Sequence, residues 1–239
     1  PVIQERIQKW MRERGEHTRM QNFLNRTQPN LAIVTEPFKA RQLPAETIFI
    51  MLNESNYFVS DGFPVAISSS NAVGPWQFLL STARWSLLQL KALPTTLVRM
   101  ARGHKSKQAH SCDERANLRK ATEAAAKYFE FLYENFPSDP KLAILSYNWG
   151  QGSVENAVKC LKNDKCKSRR YSKIKRLKEI QVSGLDYWAI RHYNMAPRES
   201  LDYVTKFVSA QFIGKSPTEY GFEVLDPKSN NYPKAPSGT

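Results

Sequence analysis

The sequence predicts an all-α protein, and three observations carry that reading. Apolar residues recur at helical spacing along most of the 239 residues. No segment sustains the strict alternation that a half-buried strand requires. The longest periodic run opens at Asp113, carries an alanine-rich middle from Ala121 to Ala126, and stops at Pro137, a residue that cannot continue a helix. The one β feature expected is a small hairpin in the loop between Asn56 and Val73. A chain of this length with 41% hydrophobic content can bury one sizeable core. The expected organisation is a helical lead-in over 1–42, a main domain over 43–226 and a flexible tail over 227–239. That tail is rich in Pro, Ser, Asn and Lys.

In order, residues 2–14 and 16–26 read as polar amphipathic helices interrupted near Gly15. A third helix is predicted over 29–41, with Leu31, Val34 and Phe38 facing inward. A short buried helix follows from Pro44, where a missing N–H costs nothing in the first turn. Ile48, Met51 and Leu52 repeat on one of its faces, and Glu54 stands at its C-terminal end. Residues 74–82 read as a short helix, and 85–93 as an apolar one broken at Pro94. After the helix from Asp113 to Phe136 come helices over 140–147, 154–161, 171–180, 185–192 and 199–213.

Composition narrows the class of function. No apolar run approaches the roughly 18–20 residues of a membrane span. The chain opens at Pro1 without Met, which reads as a processed product, and no leader is visible. The net charge of +13 suggests a polyanion partner. However, Lys159 to Lys178 holds ten Lys/Arg and one acid, so this segment alone carries +9 and the remainder only +4. The basic segment reads as a solvated insertion that can touch an acidic wall polymer or a membrane surface. No phosphate loop or zinc-finger spacing accompanies it, so nucleic acid is not the expected partner. Of the three cysteines, Cys160 and Cys166 are spaced for a short disulfide if residues 163–164 turn, and free thiols are equally permitted. His104, His110 and Cys112 lack a fourth ligand for zinc, and no metal or cofactor is expected.

The chemistry-bearing stretch is Leu43 to Phe78. At the end of a buried helix, the negative pole of the helix and nearby apolar bulk both oppose ionisation of Glu54, the condition a general acid needs. Gly74-Pro75-Trp76-Gln77-Phe78 would set an aromatic ring and an amide beside that acid, the groups that hold sugar rings and their substituents. Taken alone, such a Glu is ordinarily a solvated or capping residue, and Gly-Pro-Trp is ordinarily a turn with a core aromatic.

Five ordered motifs weigh against the ordinary readings: Glu54-Ser55; Ser68 with Gly74-x-Trp76-Gln77-Phe78; Asp113-Glu114-Arg115; Leu145-Ser146-Tyr147-Asn148 with Gly150 and Gly152; and Pro197-Arg198-Glu199 with Tyr203-Val204. Together they resemble the lytic transglycosylases of the goose-type lysozyme superfamily, most of all the membrane-bound murein transglycosylase D subgroup. The resemblance runs over roughly residues 1–226. It implies a lysozyme-like core and cleavage of the β-1,4 bond between N-acetylmuramic acid and N-acetylglucosamine in peptidoglycan, without a cofactor. It implies a periplasmic or secreted envelope location.

By the same resemblance, Glu54 first protonates the glycosidic oxygen. It then takes the proton from the muramyl C6 hydroxyl, which attacks C1 and leaves a 1,6-anhydro end. Ser68, Gln77, Tyr147 and Asn148 correspond to positions lining the sugar sites, and Glu199 and Tyr203 to groups closing the cleft; Trp76, the ring expected beside the acid, is a further substrate-binding candidate. Asp113, Glu114 and Arg115 correspond to structural positions. The two-carboxylate scheme of most glycosidases is not implied, because the substrate's acetamido group is thought to stabilise the charged centre.

The sequence departs from the family pattern near the acid. The loop between Glu54 and Ser68 is longer than usual and carries Asp61, which is either a turn residue before Gly62 or a group orienting a water. Asn71 stands where the family commonly has glycine, and Trp149 replaces a small residue. Two further readings follow: a hydrolytic lysozyme-type muramidase, with selectivity for modified (deacetylated) glycan, and an inactive wall-binding scaffold.

Overall fold

The computed structural model of the chain describes residues 1–56, 66–94, 113–162 and 186–224, and the statements below refer to these. Asp61, the basic segment beyond Lys162, the helix expected over 171–180, the tail, and His104, His110 and Cys112 lie outside them.

The described residues are helical, as predicted: α1 (Val2–Arg12), α2 (Arg14–Thr27), α3 (Leu31–Lys39), α4 (Ile50–Glu54), α5 (Leu80–Arg84), α6 (Leu118–Asn135), α7 (Pro140–Trp149), α8 (Gln151–Lys162), α9 (Tyr187–His192) and α10 (Arg198–Lys215). Among them the only β pairing is a pair of isolated antiparallel bridges, Ile67 with Val73 and Val73 with Phe78. No strand accompanies them among the described residues, and most of the loop in which a small hairpin is expected, residues 57–65, lies outside those residues.

Four local expectations are corrected. The first break falls at Glu13, whose backbone is extended, rather than at Gly15, which sits in the first turn of α2. Residues 74–78 are a turn, not a helix, because Gly74 (φ +84°) and Gln77 (φ +51°) are left-handed. The apolar segment 85–93 is not helical either. Gln89 adopts φ +52°, and Leu90 N–H donates to the Ala83 carbonyl at 2.9 Å. Leu31, expected inside, is 41% exposed, while Val34 and Phe38 on the same helix are fully buried.

The chain divides into two compact units, Pro1–Tyr128 with Phe207–Thr239, and Phe129–Lys206. In the first, Trp10 Nε1 donates to Ser209 Oγ at 2.9 Å in the interior, joining α1 to α10. Phe23 packs on Phe49 at 5.3 Å and Phe38 on Trp76 at 5.5 Å between ring centroids. α4 lies in this core, with Ile50, Met51 and Leu52 fully buried. In the second unit, Asp139 caps α7 through Lys141 N–H at 3.0 Å and accepts Tyr187 N–H at 2.9 Å, tying α7 to α9. Tyr187 OH donates to the Leu201 carbonyl at 2.6 Å, which adds α10. No described helix is long and apolar enough to cross a membrane.

Candidate active site

Glu54 is the last residue of α4, where the apolar spacing of the sequence predicts it. Ile50, Met51 and Leu52 in the core fix the helix, and Glu54 itself is half-buried. A five-residue helix leaves its last carbonyls without partners inside the helix, and these are met from two sides. Ser55 N–H donates to the Met51 carbonyl at 3.0 Å. From α2, the Arg19 guanidinium donates to the carbonyls of Leu52 at 2.5 Å and Asn53 at 3.3 Å. Arg26 donates to the Asn56 carbonyl at 3.2 Å. Burial holds the pKa of Arg19 below the ordinary arginine value; Glu16 opposes the shift and Arg6 adds to it.

The second wall is the 66–78 loop. Ser55 Oγ donates to the Pro75 carbonyl at 2.8 Å, so the residue after Glu54 is bonded directly to the turn. Within the loop, Ser68 and Ala72 exchange backbone and side-chain bonds: Ser68 N–H to Ala72 O at 2.9 Å and Ala72 N–H to Ser68 Oγ at 3.0 Å. Asn71 between them has φ +63°. Asparagine is among the few side chains that accept this conformation, which is how it can stand where the family commonly has glycine. Gln77 Nε2 donates to the carbonyls of Ala66 at 3.0 Å and Gly74 at 2.8 Å.

Behind the loop, Arg115 is almost wholly buried. It pairs with Asp113 through Nε at 3.0 Å and Nη2 at 2.7 Å, and reaches the Phe78 carbonyl at 3.2 Å. A Cβ on Gly74 would lie 1.8 Å from the Arg115 carbonyl oxygen, so that position requires glycine twice over, for its φ and for its space.

Trp76 is a correction. Its side chain is fully buried, stacks obliquely on Phe38 and donates Nε1–H to Thr122 Oγ1 at 3.0 Å. It is a core residue that holds the turn from beneath and has no face left for a sugar. Glu54, Ser68 and Gln77 share the first unit, gathered by the Ser55–Pro75 bond and the loop's own ladder.

The remaining expected site residues belong to the second unit. Tyr147 is half-buried near the end of α7, its ring stacked on Phe129 at 4.9 Å and 7°. Asn148 is exposed beside it and Trp149 is half-buried. Glu199 is exposed in the first turn of α10, and Tyr203, one turn on, is buried. Cys160, on α8, is disulfide-bonded, and the other two cysteines lie outside the described residues.

Residues 38–169, more than half of the chain, match the Transglycosylase SLT domain family. The chain belongs to that family, and its helical fold agrees with the lysozyme-like architecture expected from the motifs. Over 219 residues it is 25% identical to the membrane-bound lytic murein transglycosylase D of Escherichia coli (strain K12). The protein of the same name from Escherichia coli O6:H1 matches to the same extent. These alignments take in 92% of this chain but 38% of either relative, so the chain spans well under half the length of the proteins it matches.

Proposed function

We propose that the chain cleaves the β-1,4 bond between N-acetylmuramic acid and N-acetylglucosamine of peptidoglycan as a lytic transglycosylase, with Glu54 as general acid and then base. The observation that carries this reading is the placement of Glu54: half-buried, at the end of a helix anchored in the core, and bonded through its neighbour Ser55 to the 74–78 turn. Membership of the SLT domain family supports the reaction class, and the names of the relatives support murein as substrate.

A carboxyl group in that position can donate its proton to the glycosidic oxygen as the C1–O bond breaks. The resulting carboxylate then accepts the proton of the muramyl C6 hydroxyl as that oxygen closes on C1. The proton returns to Glu54, no water is consumed, and a 1,6-anhydro end results. Ser68 and Gln77 shape one wall through their loop, since both side chains already bond backbone there. Tyr147, Asn148, Glu199 and Tyr203 are the further glycan-binding groups of this reading, on the strength of the family motifs they belong to. The enzyme then works in the cell envelope, and the basic segment from Lys159 adds an electrostatic hold on acidic wall polymer or membrane surface.

Digestion of acetylated and deacetylated peptidoglycan, read by mass spectrometry, tests the reading. Products one water lighter than hydrolysed reducing ends are expected, and Glu54→Gln should release none. A hydrolysed majority replaces the transglycosylase with a muramidase. Equal release by wild type and Glu54→Gln removes the enzyme altogether.

A further inference from the structure

We propose that Arg19, on the lead-in helix α2, is a positioning residue for Glu54. The inference rests on the reading of Glu54 as the acid.

The residues matched to the family begin at 38, so α2 lies ahead of them. Yet α2 supplies the partners that close the end of the helix bearing Glu54. Arg19 Nη2 bridges two successive carbonyls, Leu52 at 2.5 Å and Asn53 at 3.3 Å, the two residues immediately before the acid. About two turns further along α2, Arg26 takes the Asn56 carbonyl at 3.2 Å. The Asn56 side chain, with its amide turned so that nitrogen faces oxygen, returns a bond to the Arg19 carbonyl at 3.0 Å and accepts from Arg26 at 3.3 Å. Residues 52–56 are thus held from the α2 side, while Ser55 holds the 74–78 turn on the other.

The charge matters as well as the geometry. Burying a guanidinium is costly, and here burial depresses its pKa. The cost is met by charge-assisted bonds to carbonyls that a five-residue helix cannot satisfy itself. Without Arg19 these carbonyls must find water or the helix end must unwind. Either response moves the Cα of Glu54. The reacting carboxyl must sit within a fraction of an ångström of the glycosidic oxygen, so a small displacement acts on turnover before it acts on binding.

The test is the steady-state kinetics of Arg19→Ala and Arg19→Lys in the full chain, on soluble glycan oligomers, with the melting temperature measured alongside. Arg19→Ala should lower kcat about tenfold with KM held within about twofold. Arg19→Lys, which keeps the charge but on a shorter reach and without the rigid planar guanidinium, should fall between. Added guanidinium ion should restore part of the kcat of Arg19→Ala and none to wild type or Arg26→Ala. Wild-type kcat in Arg19→Ala overturns the proposal. So does a kcat that only tracks the folded fraction and ignores guanidinium, the signature of a merely structural residue. If Arg19→Ala does not fold at the assay temperature, Arg19→Lys decides, and wild-type kcat there overturns the proposal equally. A wild-type chain that leaves the glycan intact fails the functional reading itself, and Arg19 with it.

Discussion

The hydroxyl of Ser55 donates to the backbone carbonyl of Pro75 at 2.8 Å, across 20 residues of sequence. This bond joins the end of α4 to the 74–78 turn and so ties the acid's helix to the loop beside it. A second contact of the same hydroxyl, to the Met51 carbonyl one turn back, is long at 3.4 Å, so the Pro75 bond is the one that matters. Ser55→Ala should cost about 1 kcal/mol of stability, the usual net worth of such a bond. It should also lower kcat by more than that loss of folded protein explains. Thermal unfolding together with glycan-release rates separates the two. Ser55→Cys, with a weaker donor, should lie between Ser55→Ala and wild type.

Gly74 is the position where a single methyl group should do the most damage. Its φ of +84° is strained for any other residue, and a Cβ there would sit 1.8 Å from the Arg115 carbonyl oxygen. Arg115 cannot retreat, because its guanidinium is locked by Asp113 and the Phe78 carbonyl in the interior. Gly74→Ala should therefore cost roughly 3 kcal/mol or more, from left-handed strain plus a displaced backbone. Gly214→Ala is the informative contrast. There the added carbon meets the Phe49 ring at 2.0 Å, a side chain that can shift, and overpacking of about 1–3 kcal/mol is expected. Melting temperatures of the two variants should rank accordingly.

Trp76 was a candidate sugar platform on sequence grounds, and its burial makes a sharp prediction. Trp76→Phe keeps most of the ring against Phe38 but removes the donor to Thr122 Oγ1, leaving a buried hydroxyl short of its partner. The cost should be about 1–2 kcal/mol, with KM unchanged. In a double-mutant cycle with Thr122→Val, much of that cost should disappear, because both ends of the bond are then apolar. A raised KM at unchanged melting temperature would mean that the ring meets substrate after all.

The parts of the site legible in the sequence are those with a local pattern. Glu54 at the end of a short helix follows from the apolar residues at 48, 51 and 52, although Pro44 opens a 3-10 turn over Ala45–Phe49 and α4 starts only at Ile50. The helices over Leu118–Asn135 and Pro140–Trp149 follow from periodicity and from Pro137 and Pro140, though the first begins at Leu118 rather than at Asp113. The 74–78 turn does not. Only Gly74 advertises a left-handed backbone, whereas Gln77 and Gln89 adopt one with a residue type that carries no such signal. Trp76 reads identically as platform or as core until Thr122 and Phe38 are seen to cover it. Arg19 has no local mark either: the carbonyls it serves lie 33 and 34 residues away, and a polar amphipathic helix displays its arginines alike whether they meet solvent or a buried helix end.

The second unit offers a pH test independent of catalysis. Tyr187 is fully buried, and burial pushes its phenol up to about 12, with the nearby Arg191 guanidinium partly opposing the shift. In the unfolded chain the same group titrates near 10.0. Because the folded value is the higher one, the fold binds the proton more tightly. Its contribution is therefore complete below pH 10 and is lost as pH climbs toward 12. The slope approaches about 1.4 kcal/mol per pH unit within that window, for a loss on the order of 2 kcal/mol at its upper end. Tyr187→Phe removes the titrating group together with its bond to the Leu201 carbonyl. At pH 8 the variant should be less stable than wild type by about 1 kcal/mol. Between pH 10 and 12 the wild type should lose stability faster, so the gap should close or reverse. Denaturant melts at pH 8, 10, 11 and 12 read this directly. Parallel curves across that range would mean that Tyr187 ionises as readily in the fold as in the unfolded chain.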